Sequence, residues 1–221
     1  MHLIVCSGWG CSGWGRSAWG RAAALLALAA LLVVPALSQE LKPIQLPQPQ
    51  MTGGMPLMQA LAQRQTTRAF ADKPLPMQSL SNLLWAAFGV NRPTKPGLGR
   101  TAPSAMNKQE VQLYVALAQG LFVYEAEANR LRPVLEGDVR AKIGGPAAAH
   151  AAVTIAYVAD AKLDYAQVDT GFIGQNVYLF AASEGLNAWL YAFHGPEQTA
   201  ALKLPEGMKA LYGQSVGYPP K

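Results

Sequence analysis

Cysteine is nearly absent from this chain: there are 2 in 221 residues, Cys6 and Cys11, and none follows. The long remainder can therefore form no disulfide, no thiol nucleophile, no CxxC redox pair and no cysteine metal site. Histidine is almost as sparse. The 3 histidines, His2, His150 and His194, lie far apart without acidic partners at ligand spacing, so no metal site is expected. Charged residues make up only 14% of the chain, and its 18 basic and 13 acidic residues are scattered. No basic stripe interleaves with aromatics, which excludes a nucleic-acid-binding face. Gly-x-Ser-x-Gly and Walker sequences are missing, and Gly97-Leu98-Gly99 stands too isolated to count as a dinucleotide fingerprint.

Long apolar runs are lacking too. The run from Ala22 to Val34 ends at Pro35 and falls short of the roughly 18 residues that a membrane-spanning helix needs. Arg16 and Arg21 precede it, and Ala36-Leu37-Ser38 follows with small residues where a signal peptidase reads. Residues 1–38 are therefore expected to be an export signal cleaved before Gln39, which would put the protein in the periplasm with no stable membrane span. An uncleaved anchor is the alternative, because Leu and Val dominate the second half of the run. Without Arg16 and Arg21 the formal charge falls from +5 to about +3. Residues 39–55, which carry Pro43, Pro47 and Pro49 among glutamines, read as an extended tether, and residues 56–221 as one folded domain.

Apolar periodicity organises that domain. Leu57, Met58 and Leu61 recur at helical spacing after Pro56, and Leu80, Leu83, Leu84 and Phe88 mark a second helix over 75–89, with Trp85 read as core. Strands are expected over 111–118, 121–125, 131–135, 152–159, 188–193 and 211–216, and helices over 138–149 and 196–202. The longest helix, 169–184, is apolar on more than one face and so belongs at the domain centre or a subunit interface. Helices mixed irregularly with strands indicate α+β rather than a doubly wound sheet.

Two short motifs carry the chemistry. In the run Arg64-Gln65-Thr66-Thr67-Arg68, an extended backbone puts Arg64, Thr66 and Arg68 on one face. Two permanently charged guanidinium forks and a hydroxyl suit a phosphate ester; solvated surface residues are the plainer reading. Some thirty residues on, Pro103-Ser104-Ala105-Met106-Asn107-Lys108-Gln109 offers a fixed φ, a hydroxyl and an amide that can both donate and accept. Its plainer reading is a proline turn with an Asn cap.

The order and spacing of these motifs resemble the nitroreductase family of flavoproteins, and so do Asp169-Thr170-Gly171, Gln175-Asn176, Gly185-Leu186 and Val216-Gly217-Tyr218-Pro219. The stretch Gly120-Leu121-Phe122-Val123-Tyr124 through Asn129-Arg130-Leu131 further resembles the branch of azoline oxidases that dehydrogenate thiazoline and oxazoline rings. The resemblance implies a mainly antiparallel sheet flanked by helices, with a long central helix. It implies FMN held by Arg64, Gln65, Thr66, Arg68, Pro103, Ser104, Ala105, Asn107, Leu190, Tyr191 and Lys221, and a homodimer with the cofactor at the subunit boundary. The ring would rest on Asn187 to Phe193, where some relatives have a carboxylate and this chain has none. With a flavin as the redox group no catalytic acid or base is required of the protein. The implied activity is an oxidoreductase acting outside the cytoplasm on a small molecule, with an unidentified electron donor such as a quinol or redox protein. A flavin-binding module without turnover, or a structural module without flavin, is the alternative.

Overall fold

The computed structural model describes residues 40–94, 99–162 and 164–221. The expected export signal lies outside them. Seven strands form one sheet in the order β1-β6-β5-β4-β7-β9-β8, every neighbour antiparallel. They are β1 (Ile44–Gln45), β4 (Gln112–Leu117), β5 (Gly120–Glu125), β6 (Arg130–Glu136), β7 (Val153–Asp160), β8 (Asn187–Ala192) and β9 (Met208–Gly217). Two further strands, β2 (Val90–Arg92) and β3 (Gly99–Arg100), pair as a separate ribbon. The mainly antiparallel, helix-flanked sheet matches the α+β expectation.

Alternation along the strands sorts side chains to two faces. On one face Leu113, Val115, Phe122, Ile155 and Tyr157 pack against Leu80, Leu83 and Leu84 of helix α2 (Met77–Phe88) and Ile173, Val177 and Ala181 of helix α4 (Ala166–Ser183). On the other, Tyr114, Ala116, Leu121, Ala156 and Val158 pack against Ile143 of helix α3 (Arg140–Ala149) and Leu202, just beyond helix α5 (Pro196–Ala200). A short helix, α1 (Leu57–Gln63), packs on α4.

The long helix begins three residues earlier than its apolar pattern suggests, because Ala166, already buried, opens the packed face. Asn176 fastens it to α2 by donating from Nδ2 to the Ala86 carbonyl at 3.0 Å. The Pro-rich segment expected to be a tether is extended but not free. Ile44 and Gln45 add an edge strand opposite Leu131 and Arg130, Leu46 is buried, and the Pro47 carbonyl accepts bonds from Ser81 Oγ and Asn129 Nδ2. Proline spacing signals extended backbone but says nothing about a waiting sheet edge. Pro133 fits within β6 because β1 covers only Arg130 and Leu131 and a register shift lies opposite it in β5.

Candidate functional site

Residues 64–70 leave α1 as irregular extended backbone and run beside β8, the last strand of the sheet. Thr67 N–H donates to the Ala188 carbonyl at 3.0 Å, and Asn187 Nδ2 donates to the Ala69 carbonyl at 2.7 Å. Alternation then holds. Thr66 Oγ1 lies 3.0 Å from Tyr178 Oη, the Arg64 guanidinium stands 5.3 Å from the centre of the Tyr178 ring, and that of Arg68 stands 5.7 Å from the centre of the Trp189 ring. Gln65 and Thr67 line a small cavity of about 170 Å³ with Tyr178, Gly185 and Asn187. Thr67 Oγ1 is shielded from water there and has no partner among the described residues.

Tyr178 is the residue that sequence reading missed. Its hydroxyl also accepts the Leu190 N–H at 2.9 Å, so one side chain of α4 joins the Arg-Thr-Arg run to β8. A tyrosine inside an otherwise apolar helix gives no signal of this kind in a linear pattern. The Ala188 carbonyl and the Leu190 N–H both point away from β9, and period two puts the backbone groups of Ala192 on the same open edge.

Leu190 and Tyr191 occupy opposite faces of β8. Leu190 packs toward α4, where a Cβ added to Gly174 would come within 2.8 Å of Leu190 Cδ1. Tyr191 is buried toward α3, its ring against Gly144 and Gly213 and 4.6 Å from the Trp189 ring. Burial pushes its phenol up to about 12, against the opposing hydrogen bond from Ser215, so it stays protonated at neutral pH. The Tyr191 side chain thus belongs to the core, while the backbone of β8 remains available at the edge. Helix α3 is broken beside it by Gly145, at φ 75°, followed by Pro146.

The second motif folds into a 3₁₀ turn, Ala105–Asn107, set against the start of α4. Both oxygens of the buried Asp169 carboxylate accept the Ala105 N–H at 3.1 Å, and Ser104 Oγ accepts the Gln109 N–H at 2.7 Å. Met106, Asn107 and Gln109 all have left-handed φ, at 52°, 54° and 53°. Pro103 is exposed, and Ser104 Oγ also lies 3.4 Å from Glu110 Oε2. Lys221 is exposed beyond Tyr218, whose carbonyl accepts the Ala71 N–H and whose ring centre lies 4.0 Å from Lys73 Nζ. Lys73 is therefore a second cation near the end of the chain that the motif did not signal.

The donor set fits a phosphate-bearing planar cofactor. Two fixed cations and a hydroxyl lie along an open strand edge, and residues 187–193 include no carboxylate to repel an anion. Among the described residues no group of His, Cys, Asp and Glu is placed to hold a metal ion, and no helix is long and apolar enough to cross a membrane.

The sequence pattern of the Nitroreductase family matches residues 61–218. A candidate nitroreductase of Methanocaldococcus jannaschii is 27% identical over 172 residues, spanning 68% of this chain and 85% of that protein. The crystal structure of a candidate nitroreductase from Ralstonia eutropha superposes with a TM-score of 0.76 at 33% identity, covering 85% of this chain and 94% of that one. An FMN-dependent nitroreductase of Clostridium difficile, 18% identical, shares the fold with a TM-score of 0.53 over 74% of this chain and 88% of its own.

Proposed function

The chain belongs to the nitroreductase family, and on that premise we propose that it is an FMN-dependent oxidoreductase acting on a small molecule outside the cytoplasm. The observation that carries the reading is the gathering of Arg64, Thr66 and Arg68 around Tyr178 and Trp189 at the open edge of β8. In this reading the two guanidinium groups and the Thr66 hydroxyl hold the phosphate, and the outward N–H of Ala192 is the next free donor for the edge of the ring. FMN, when bound, supplies the two-electron redox chemistry. The protein's own residues bind the phosphate, orient the ring and keep it against β8. Asn107 and Ser104 serve the ring from a loop contributed by a second copy.

Exposed apolar residues support the homodimer. Leu57, Met58 and Leu61 on α1 and Val168 and Phe172 on α4 lie in water in the isolated chain, and α1 and α4 pack together, which makes a surface suited to self-association. The resemblance of residues 120–131 to the azoline oxidases supports assignment to that branch. Export, read from the leader, favours a quinol or redox protein as electron donor over a nicotinamide.

The test is the absorption spectrum of purified protein, followed by anaerobic mixing with NADPH or a quinol. A bound flavin reduced faster by the quinol supports the whole reading. A colourless protein that takes up no added FMN would leave a structural module of the same fold. Reduction by NADPH alone would assign an ordinary nicotinamide-driven nitroreductase.

A further inference from the structure

A cavity of about 420 Å³ lies where the end of α2, the start of β4 and the β5–β6 turn meet. Phe88, Arg100, Leu113, Tyr124 and the rim residue Glu127 help line it, and none of them belongs to the β8 edge. Its volume lies within the usual range for small-molecule sites.

Arg100 is its chemical centre. The guanidinium stands 5.3 Å from the centre of the Phe88 ring, and Nε donates to Gln109 Oε1 at 2.7 Å. Nη1 is shielded from water and meets no acceptor among the described residues. Among the described residues the ion pairs join Arg130 and Arg132 to Glu125 and Arg140 to Asp138, so none includes Arg100. Glu127 acts on it only at longer range, and desolvation lowers the Arg100 pKa below its ordinary value in spite of that carboxylate. A half-buried guanidinium with no carboxylate in ion-pair contact among the described residues keeps open donors, which a planar anion offering two oxygens satisfies. The remaining wall combines the apolar Phe88, Val111 and Leu113 with Gln112 and Glu125, the Glu125 carboxylate being paired with Arg130 and Arg132. Tyr124 adds a neutral phenol: its hydroxyl lies 3.2 Å from Asn129 Oδ1, and burial pushes its pKa up to about 12.

We propose that this cavity is a binding site for a small carboxylate with an aromatic or aliphatic body, the carboxylate on Arg100 and the body against Phe88 and Leu113. The site has a route to the loop of the second motif, because Gln109, which accepts from Arg100, donates from Nε2 to Asn107 Oδ1 at 2.8 Å. A ligand that draws on Arg100 pulls on the amide chain that fixes Asn107. Only this coupling rests on the flavin reading; binding itself does not.

The test is calorimetric titration of the full chain with benzoate and hexanoate, with benzamide as the uncharged control, in the presence and absence of FMN. At least one carboxylate binds, benzamide does not, and saturating FMN leaves the site open. Arg100→Met abolishes binding, and Arg100→Lys, which keeps the charge but loses the fork, weakens it by about tenfold. Melting curves for both variants report whether the fold survives, and the wild-type contrast between benzoate and benzamide stands without them. Glu127→Gln, which removes the competing rim carboxylate, tightens binding, whereas Arg68→Ala leaves it unchanged. The proposal is overturned if neither carboxylate binds, if benzamide binds as well as benzoate, or if FMN or Arg68→Ala displaces the carboxylate, since the ligand would then sit on the phosphate cations.

Discussion

Residues 64–68 and residues 103–109 both put polar side chains on irregular backbone. The first run is extended, whereas the second bends through three left-handed residues that are not glycine. The first is held within one chain, by the Ala188 carbonyl on its backbone and by Tyr178 on its side chains. The second is held down by the Asp169 carboxylate and the Ser104 hydroxyl, with Met106 left 71% exposed. A left-handed conformation costs an L-residue about 1–2 kcal/mol, and such strain persists only where the surroundings over-determine it. In the proposed function the strained loop, with an apolar side chain presented outward, serves a group outside its own chain, and the relaxed run serves a ligand that its own chain grips.

Breaking the anchor of the strained loop gives the largest expected change. Asp169→Ala removes a buried charged acceptor and is expected to cost about 1.5–3 kcal/mol, read as a lower urea midpoint. The same variant should lose dimer in light scattering, because the loop is no longer held in its bent form. An unchanged midpoint would show that the loop needs no anchor.

Tyr178→Phe acts on the relaxed run and should cost about 0.5–1.5 kcal/mol of stability, since Leu190 N–H and Thr66 Oγ1 lose their shared partner. FMN titration should show weaker binding, with dimerisation intact. Loss of dimer with flavin affinity preserved would reverse the roles assigned to the two segments.

Met106→Gly should do the opposite of the first two and stabilise the isolated chain, by up to about 1 kcal/mol, because glycine adopts positive φ without penalty. Destabilisation in thermal melts would mean that the Met106 side chain makes contacts worth more than the strain.

The smallest effect is a control remote from both segments. The hydrogen bond from Arg140 holds the Asp138 carboxyl below its ordinary 3.8. A depressed carboxyl stabilises the fold above its unfolded pKa, and that contribution fades as pH falls through the lower folded value. Acid titration of wild type and Asp138→Asn should therefore show a slight separation above the ordinary 3.8 that shrinks as pH falls through the lowered folded value, slight because Asp138 is partly exposed and solvent screens the pair.

The sheet and its helices were legible because alternation and helical spacing follow directly from which face each residue buries. Residues 152–159, short and apolar, read as a buried strand, and Val153–Asp160 forms one, buried up to the exposed Asp160. The two-residue strand at Ile44 was not legible, since its pairing depends on the free edge of β6, far along the chain. In the site, period two suggests a shared side for Arg64, Thr66 and Arg68, but Tyr178, which Arg64 and Thr66 meet, lies more than a hundred residues away on a helix, and Arg68 meets Trp189 instead. Leu190 and Tyr191 read alike in sequence and face opposite ways, because only the position of β8 in the sheet decides which side carries α4. The left-handed turn at Met106 is invisible to propensity: methionine gives no hint of positive φ, and the bond from Ala105 to Asp169 that accompanies it is long-range.

The central claim, that Arg64, Thr66 and Arg68 form the phosphate end of an FMN site, is tested most directly by titrating apoprotein with FMN and with riboflavin, which lacks the phosphate. Wild type should bind FMN more tightly by at least the worth of one charged hydrogen bond, about 1.5–3 kcal/mol, and Arg68→Ala should lose most of that preference by weakening FMN alone. Equal affinity of the wild type for the two flavins, or a preference untouched in Arg68→Ala, would contradict the assignment.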